Sequence, residues 1–152
     1  MEKSEAFIFE KLPELIDHLD QSRAPKFGKM SPQHMIEHLG GIFLISSGMI
    51  KIQSPSKEQV DKYYSWFQSD EFAFQPNTSS PAMPEELPQL RFDDFKEAVK
   101  AMKKAVDKFR QHFSTAPHEK VTHPVFGPLS YEEWIKFHEE HSRHHLRQFG
   151  LL

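Results

Sequence analysis

The run Trp134-Ile135-Lys136-Phe137-His138-Glu139-Glu140-His141-Ser142-Arg143-His144-His145-Leu146-Arg147-Gln148 has the period of an α-helix. Trp134, His138, His141, His145 and Gln148 follow one another at steps of four, three, four and three, the seam that a bundle helix turns towards its core. That seam is built largely of histidine. Imidazole is amphipathic and usually sits at intermediate burial, so repeated His where Leu or Ile is expected calls for either a hydrogen-bonded network or a metal. His141 and His145 are one turn apart, a spacing that lets two imidazoles of one helix share an ion. Upstream, Ser130-Tyr131-Glu132-Glu133 reads as a capping box that starts the helix, and Gly150 as the glycine that stops it.

The rest of the chain limits what this helix belongs to. A length of 152 residues suits one domain, residues 1–152. The net charge of −3, with bases and acids interspersed, gives no electrostatic footprint for nucleic acid. No apolar run reaches spanning length and the start, Met1-Glu2-Lys3-Ser4-Glu5, is polar, so no membrane association and a cytoplasmic location are expected. Cysteine is absent, which leaves His, Asp and Glu as metal ligands.

Three further helices precede the last one. Phe7, Ile8, Leu12, Leu15, Ile16 and Leu19 predict a helix over about 4–20, bent or restarted at Pro13. Ser31-Pro32 caps a second, in which Met35, His38, Ile42, Ile45 and Met49 form a stripe that carries His38 among apolar neighbours. Gly40, Gly41 and Gly48 in that helix signal either close helix approach or room for a ligand beside His38. Phe92, Phe95, Val99, Met102, Val106, Phe109 and Phe113 mark a third, with a solvated lysine-rich face. Between the second and third lies a long connection, residues 51–90. It holds one short helix after Ser56 and a proline-rich run from Gln75 to Pro84 that serves as a crossover or as a cover over a site. Residues 116–129 read as loop. The fold expected is all-α, a four-helix bundle.

His38, His141 and His145 can form a three-histidine set that leaves a coordination position open, with a metal-free histidine cluster as the alternative. Three imidazoles suit zinc, nickel, iron or copper, with zinc or nickel first among them. Binding is expected to weaken as pH falls through about 6.5. His138, one turn from His141, is the candidate for proton transfer or for support of a ligand, followed by Gln148 and His34. His34-Met35-Ile36-Glu37-His38 matches H-x-x-E-H, but Glu37 lies off the stripe that holds His38. His138-Glu139-Glu140-His141-Ser142 misses H-E-x-x-H because Ser142 stands at the second histidine position. No nucleotide, dinucleotide or serine-hydrolase motif occurs.

The order Met35-Ile36-Glu37-His38-Leu39, His123-Pro124-Val125-Phe126-Gly127, Trp134 and His141-Ser142-Arg143-His144-His145-Leu146-Arg147-Gln148-Phe149-Gly150 resembles the DinB-like superfamily. More closely it resembles a bacterial branch known only as a domain of unknown function. The resemblance implies a four-helix bundle with a metal on His38, His141 and His145, and homodimerisation. It also implies either thiol-dependent S-transfer or isomerisation with a small thiol cofactor, or metal-dependent hydrolysis of a small molecule. Where the superfamily commonly ends in H-R-G-Q, this chain has His145-Leu146-Arg147-Gln148. The competing class is a non-catalytic metal-binding or stress-response bundle. A fourth position closed by a side chain such as Glu37 points to that class, and an open one facing a pocket to catalysis.

The depths of the histidines along their helices set the topology. At 1.5 Å per residue, His38 lies about 10 Å into its helix and the His141/His145 pair about 16–22 Å into theirs. Parallel helices would hold His38 about 9 Å off the pair, too far for one ion, whereas antiparallel helices bring them level. The expectation is therefore up-down-down-up, with the long connection between the second and third of the four helices as the crossover.

Overall fold

A computed structural model describes residues 1–78 and 80–152; Ser79, within the proline-rich run, lies outside the described residues. The described chain is mostly helical with one small sheet. Helix α1 covers residues 2–16 as α-helical Glu2–Ala6, π-helical Phe7–Lys11 and α-helical Leu12–Ile16. Pro13 is accommodated without a break, because the wider π-turn just before it gives its ring the room that the regular i−4 ladder denies. The helix stops short of the expected Asp20, although Leu19 beyond it is still buried.

Helix α2, Pro32–Ser46, starts where Ser31 accepts the His34 N–H. Its buried face differs from the predicted stripe. Met35, Ile36, Leu39, Gly40, Phe43 and Ser46 are buried, whereas His38, Ile42 and Ile45 are half-buried and Met49 is exposed. The helix is apolar nearly all round, so periodicity alone is a poor guide to which side faces in. Helix α3, Lys57–Gln68, is capped by Ser56, and helix α4, Phe95–Thr115, by Asp94. Helix α5, Tyr131–Gln148, carries the full capping box of Ser130 and Glu133. Its end is a Schellman motif: Gly150, at φ +68°, donates to the Arg147 carbonyl and Leu151 to that of Leu146.

The stretch expected to be loop at 116–129 contains a hairpin, β1 Val121–His123 against antiparallel β2 Gly127–Leu129. Strands of three residues are too short to show alternation, and this pair is held from the side instead. His123 Nδ1 accepts the N–H groups of Val125 and Phe126, and Trp134 Nε1 donates to the Val121 carbonyl.

Contacts fix the relative directions of the long helices. Ser46 meets His138 and His38 meets His141, so α2 and α5 run antiparallel. Gly40 lies against Met102 and Phe43 against Phe109, so α2 and α4 run parallel. Phe9 meets Phe109 and Asp17 meets Lys103, so α1 opposes α4. The core between them is assembled from Ile8, Leu12, Leu39, Phe43, Met102, Phe109 and Trp134. A Cβ on Gly40 would stand 3.3 Å from the Met102 Cα, so this glycine serves close helix approach rather than ligand space.

Candidate metal centre

Every residue of the α5 seam is buried: Trp134, His138, His141, His145 and Gln148. Because α2 runs against α5, His38 arrives level with two of them. His38 Nε2 is 2.9 Å from His141 Nε2, which is 3.1 Å from His145 Nε2. Among the described residues these three form the one group of histidine and carboxylate atoms drawn within 4.8 Å of one another. Ligands at zinc–nitrogen bonds of 2.0–2.1 Å in a tetrahedral site stand roughly 3.3 Å apart. The observed separations are close to that, and all three atoms are of the kind that such an ion takes.

The electrostatics suit ligation. Burial pushes His38 down to about 4, helped by the charge of His144. Burial, and then the neighbouring imidazoles His145, His38, His138 and His144, hold His141 well below the ordinary histidine range; burial, with His38 and His144, does the same for His145 against the opposing bond from Gln148. The rings are therefore neutral in the folded protein, as ligands must be, and competition from protons begins well below the 6.5 of a free imidazole.

Gln148 sets the tautomer of one ring. Its Nε2 donates to the Phe27 carbonyl at 3.1 Å, which turns Oε1 towards His145 Nδ1 at 2.8 Å. His145 thus donates from Nδ1 and keeps a lone pair on Nε2, facing the other two histidines. The loop that supplies Phe27 is itself docked by Lys26 N–H on the Gln148 carbonyl. Gly28 has φ +75°, and a Cβ there would meet Gln148 Nε2 at 2.9 Å. Sequence reasoning did not see this loop as part of the site, because its contribution is made by backbone.

His138 lies outside the trio. It is fully buried, stacked on Phe43 at 3.8 Å, with Nε2 bonded to Ser46 Oγ at 2.8 Å. His34 bonds Ser31 at the start of α2. Glu37 does not reach the histidines either. Its carboxylate accepts the Arg91 N–H at 2.6 Å and the Gln33 side chain at 3.0 Å. Burial would raise its pKa, and these bonds outweigh that and lower it.

Two half-buried rings lie beside His141 and His144. Phe74, from the long connection, lies 5.5 Å from the His141 ring and 5.7 Å from that of His144, and Phe27 lies 5.3 Å from His144. Phe74 N–H is held by Glu140. His144 is partly exposed and outside the ligand group. Of the three histidines only His38 is more than marginally exposed.

Residues 9–149 match the family model of the DinB superfamily. No curated protein and no solved structure matches the chain.

Proposed function

The chain belongs to the DinB superfamily, a metal-binding group, and from that premise we propose that it binds one divalent ion on His38, His141 and His145 and uses it on a small molecule. The observation that carries the proposal is the meeting of three Nε2 atoms with no fourth protein ligand among the described residues. Glu37, which could have closed the site, is engaged by Arg91 and Gln33. A coordination position is left for an exogenous ligand, as in catalytic three-histidine sites.

When bound, a divalent ion of the zinc or nickel kind supplies Lewis acidity, which lowers the pKa of a water or thiol and polarises a carbonyl or similar group. The chain's own part is to hold and orient. Gln148 fixes His145, burial keeps the three imidazoles neutral, and Phe74 packs against the His141 ring. Hydrolysis and thiol-dependent transfer both fit this arrangement. The up-down-down-up four-helix bundle of α1, α2, α4 and α5 is part of the proposal. It is supported by the antiparallel register of α2 with α5 and the parallel register of α2 with α4, which residues 47–94 connect.

A purely structural ion is the second reading, favoured by the burial of His141 and His145. Elemental analysis of the purified protein, followed by a panel of hydrolysis and small-thiol transfer assays, separates the two. The expected result is about one divalent ion per chain and turnover that a chelator removes and metal restores. Bound metal without turnover on any substrate, in a protein that loses its fold on chelation, supports the structural ion instead.

A further inference from the structure

Among the described residues, three buried polar atoms on α5 have no hydrogen-bond partner: His138 Nδ1, His141 Nδ1 and Ser142 Oγ. Their residues stand at i, i+3 and i+4, on one face of the helix. A polar group buried without a partner loses its hydration and gains nothing in return, so three together on one face require an explanation.

The hydrogen bonds around His138 determine its tautomer. Ser46 Oγ donates its only proton to the Phe43 carbonyl at 2.9 Å and therefore accepts from His138 Nε2 at 2.8 Å. His138 carries its proton on Nε2 and presents a lone pair at Nδ1. His141 is the reverse case. Its Nε2 faces His38 and His145, so a His141 that ligates through Nε2 carries its proton on Nδ1. One turn of helix thus places a buried acceptor, a buried donor and a hydroxyl able to act as either, none of them bonded to another.

We propose that an ordered water occupies this face of α5, accepting from His141 Nδ1–H, donating to His138 Nδ1 and bonding Ser142 Oγ, so that His138 is a positioning residue for the metal ligand His141. Three bonds are the usual complement of a buried water. A metal-ligating histidine almost always donates its second N–H to a partner; His145 has Gln148, and the water gives His141 the equivalent. The chain Phe43 carbonyl, Ser46, His138, water, His141 then runs from α2 across to the candidate centre. It also explains why histidine occupies a slot between Phe43, at 3.8 Å, and Trp134, at 5.3 Å, that a phenyl ring would fill without any unsatisfied atom. The positioning role rests on the metal reading above, whereas the water and the tautomer do not.

The test combines structure, spectroscopy and binding. Crystals of the protein, with and without added zinc, are expected to show a water within about 3.2 Å of both His138 Nδ1 and His141 Nδ1. Nitrogen-15 spectra of the histidine side chains are expected to show His138 protonated at Nε2 and not at Nδ1. His138→Phe, checked for a native circular-dichroism spectrum, is expected to bind zinc about 10–100-fold more weakly than the parent. Ser142→Ala, the gentler change, is expected to weaken binding several-fold. No water at that position, or His138 protonated at Nδ1, overturns the proposal. So does unchanged zinc affinity in Ser142→Ala together with a folded His138→Phe; if His138→Phe does not fold, unchanged affinity in Ser142→Ala overturns it alone. If the parent protein takes up no zinc, nickel or other divalent ion, the metal reading fails and the positioning role with it, and the metal-free crystals still decide the water.

Discussion

Gln148 and His144 flank His145 and carry opposite consequences when removed. Gln148 fixes the His145 ring by a 2.8 Å bond and is itself fixed by Phe27. Gln148→Leu is expected to weaken metal binding about 10–100-fold with little loss of fold, as removal of such supporting bonds generally does. His144 touches Phe27 and Phe74 but lies outside the ligand group. His144→Ala is expected to retain metal at full occupancy, whereas His38→Ala and His145→Ala lose it; a competition titration with a chromophoric chelator across the four variants checks the assignment. Equal loss in His144→Ala would show that the ligand set is wrong.

At the scale of elements, the approach of α2 to α4 depends on one glycine. A Cβ on Gly40 would lie 3.3 Å from the Met102 Cα, and the branched side chain of valine has no space between two helix backbones. Gly40→Val is expected to destabilise the protein by about 1–3 kcal/mol, measured as a lower urea midpoint at unchanged slope. The hairpin has its own dependence on a side chain. His123 accepts two N–H groups in the turn between β1 and β2, at 3.0 and 3.2 Å, and His123→Leu leaves both without a partner. The expected cost is about 1–3 kcal/mol, with faster amide exchange at Val125 and Phe126 as its local signature.

For the whole molecule the buried histidines predict acid sensitivity. Burial pushes His123 down to about 3 from an unfolded value near 6.5. The unfolded chain therefore takes up the proton first, and the contribution to stability is complete above pH 6.5 and declines as pH falls towards 3. The slope for one such group approaches about 1.4 kcal/mol per pH unit. Urea unfolding between pH 7.5 and 4.5 is expected to show this fall, and a flat profile would contradict it. A ligand that binds the folded state alone should act in the other direction, adding about 2.7 kcal/mol at a free metal concentration one hundred times Kd, read as a higher Tm.

The helical ending with its capping box, the three histidines and the family resemblance were legible in the residues, because seam spacing, caps and ligand chemistry are local properties written at i, i+3 and i+4. The level of His38 against His141 followed from counting rise along two helices, again a local quantity. Three things were decided only by tertiary structure. The inward face of α2 is set by what α4 and α5 present to it, since Ile36, Leu39, Ile42, Phe43 and Ile45 leave its own pattern ambiguous. The hairpin exists because His123 ties down the turn at Val125 and Phe126 and Trp134 anchors Val121, on strands too short to declare themselves by alternation. The direction of Glu37 away from the histidines, and of Gln148 towards them, depends on Arg91 and Phe27, partners 54 and 121 residues away in the chain that they meet only after it folds.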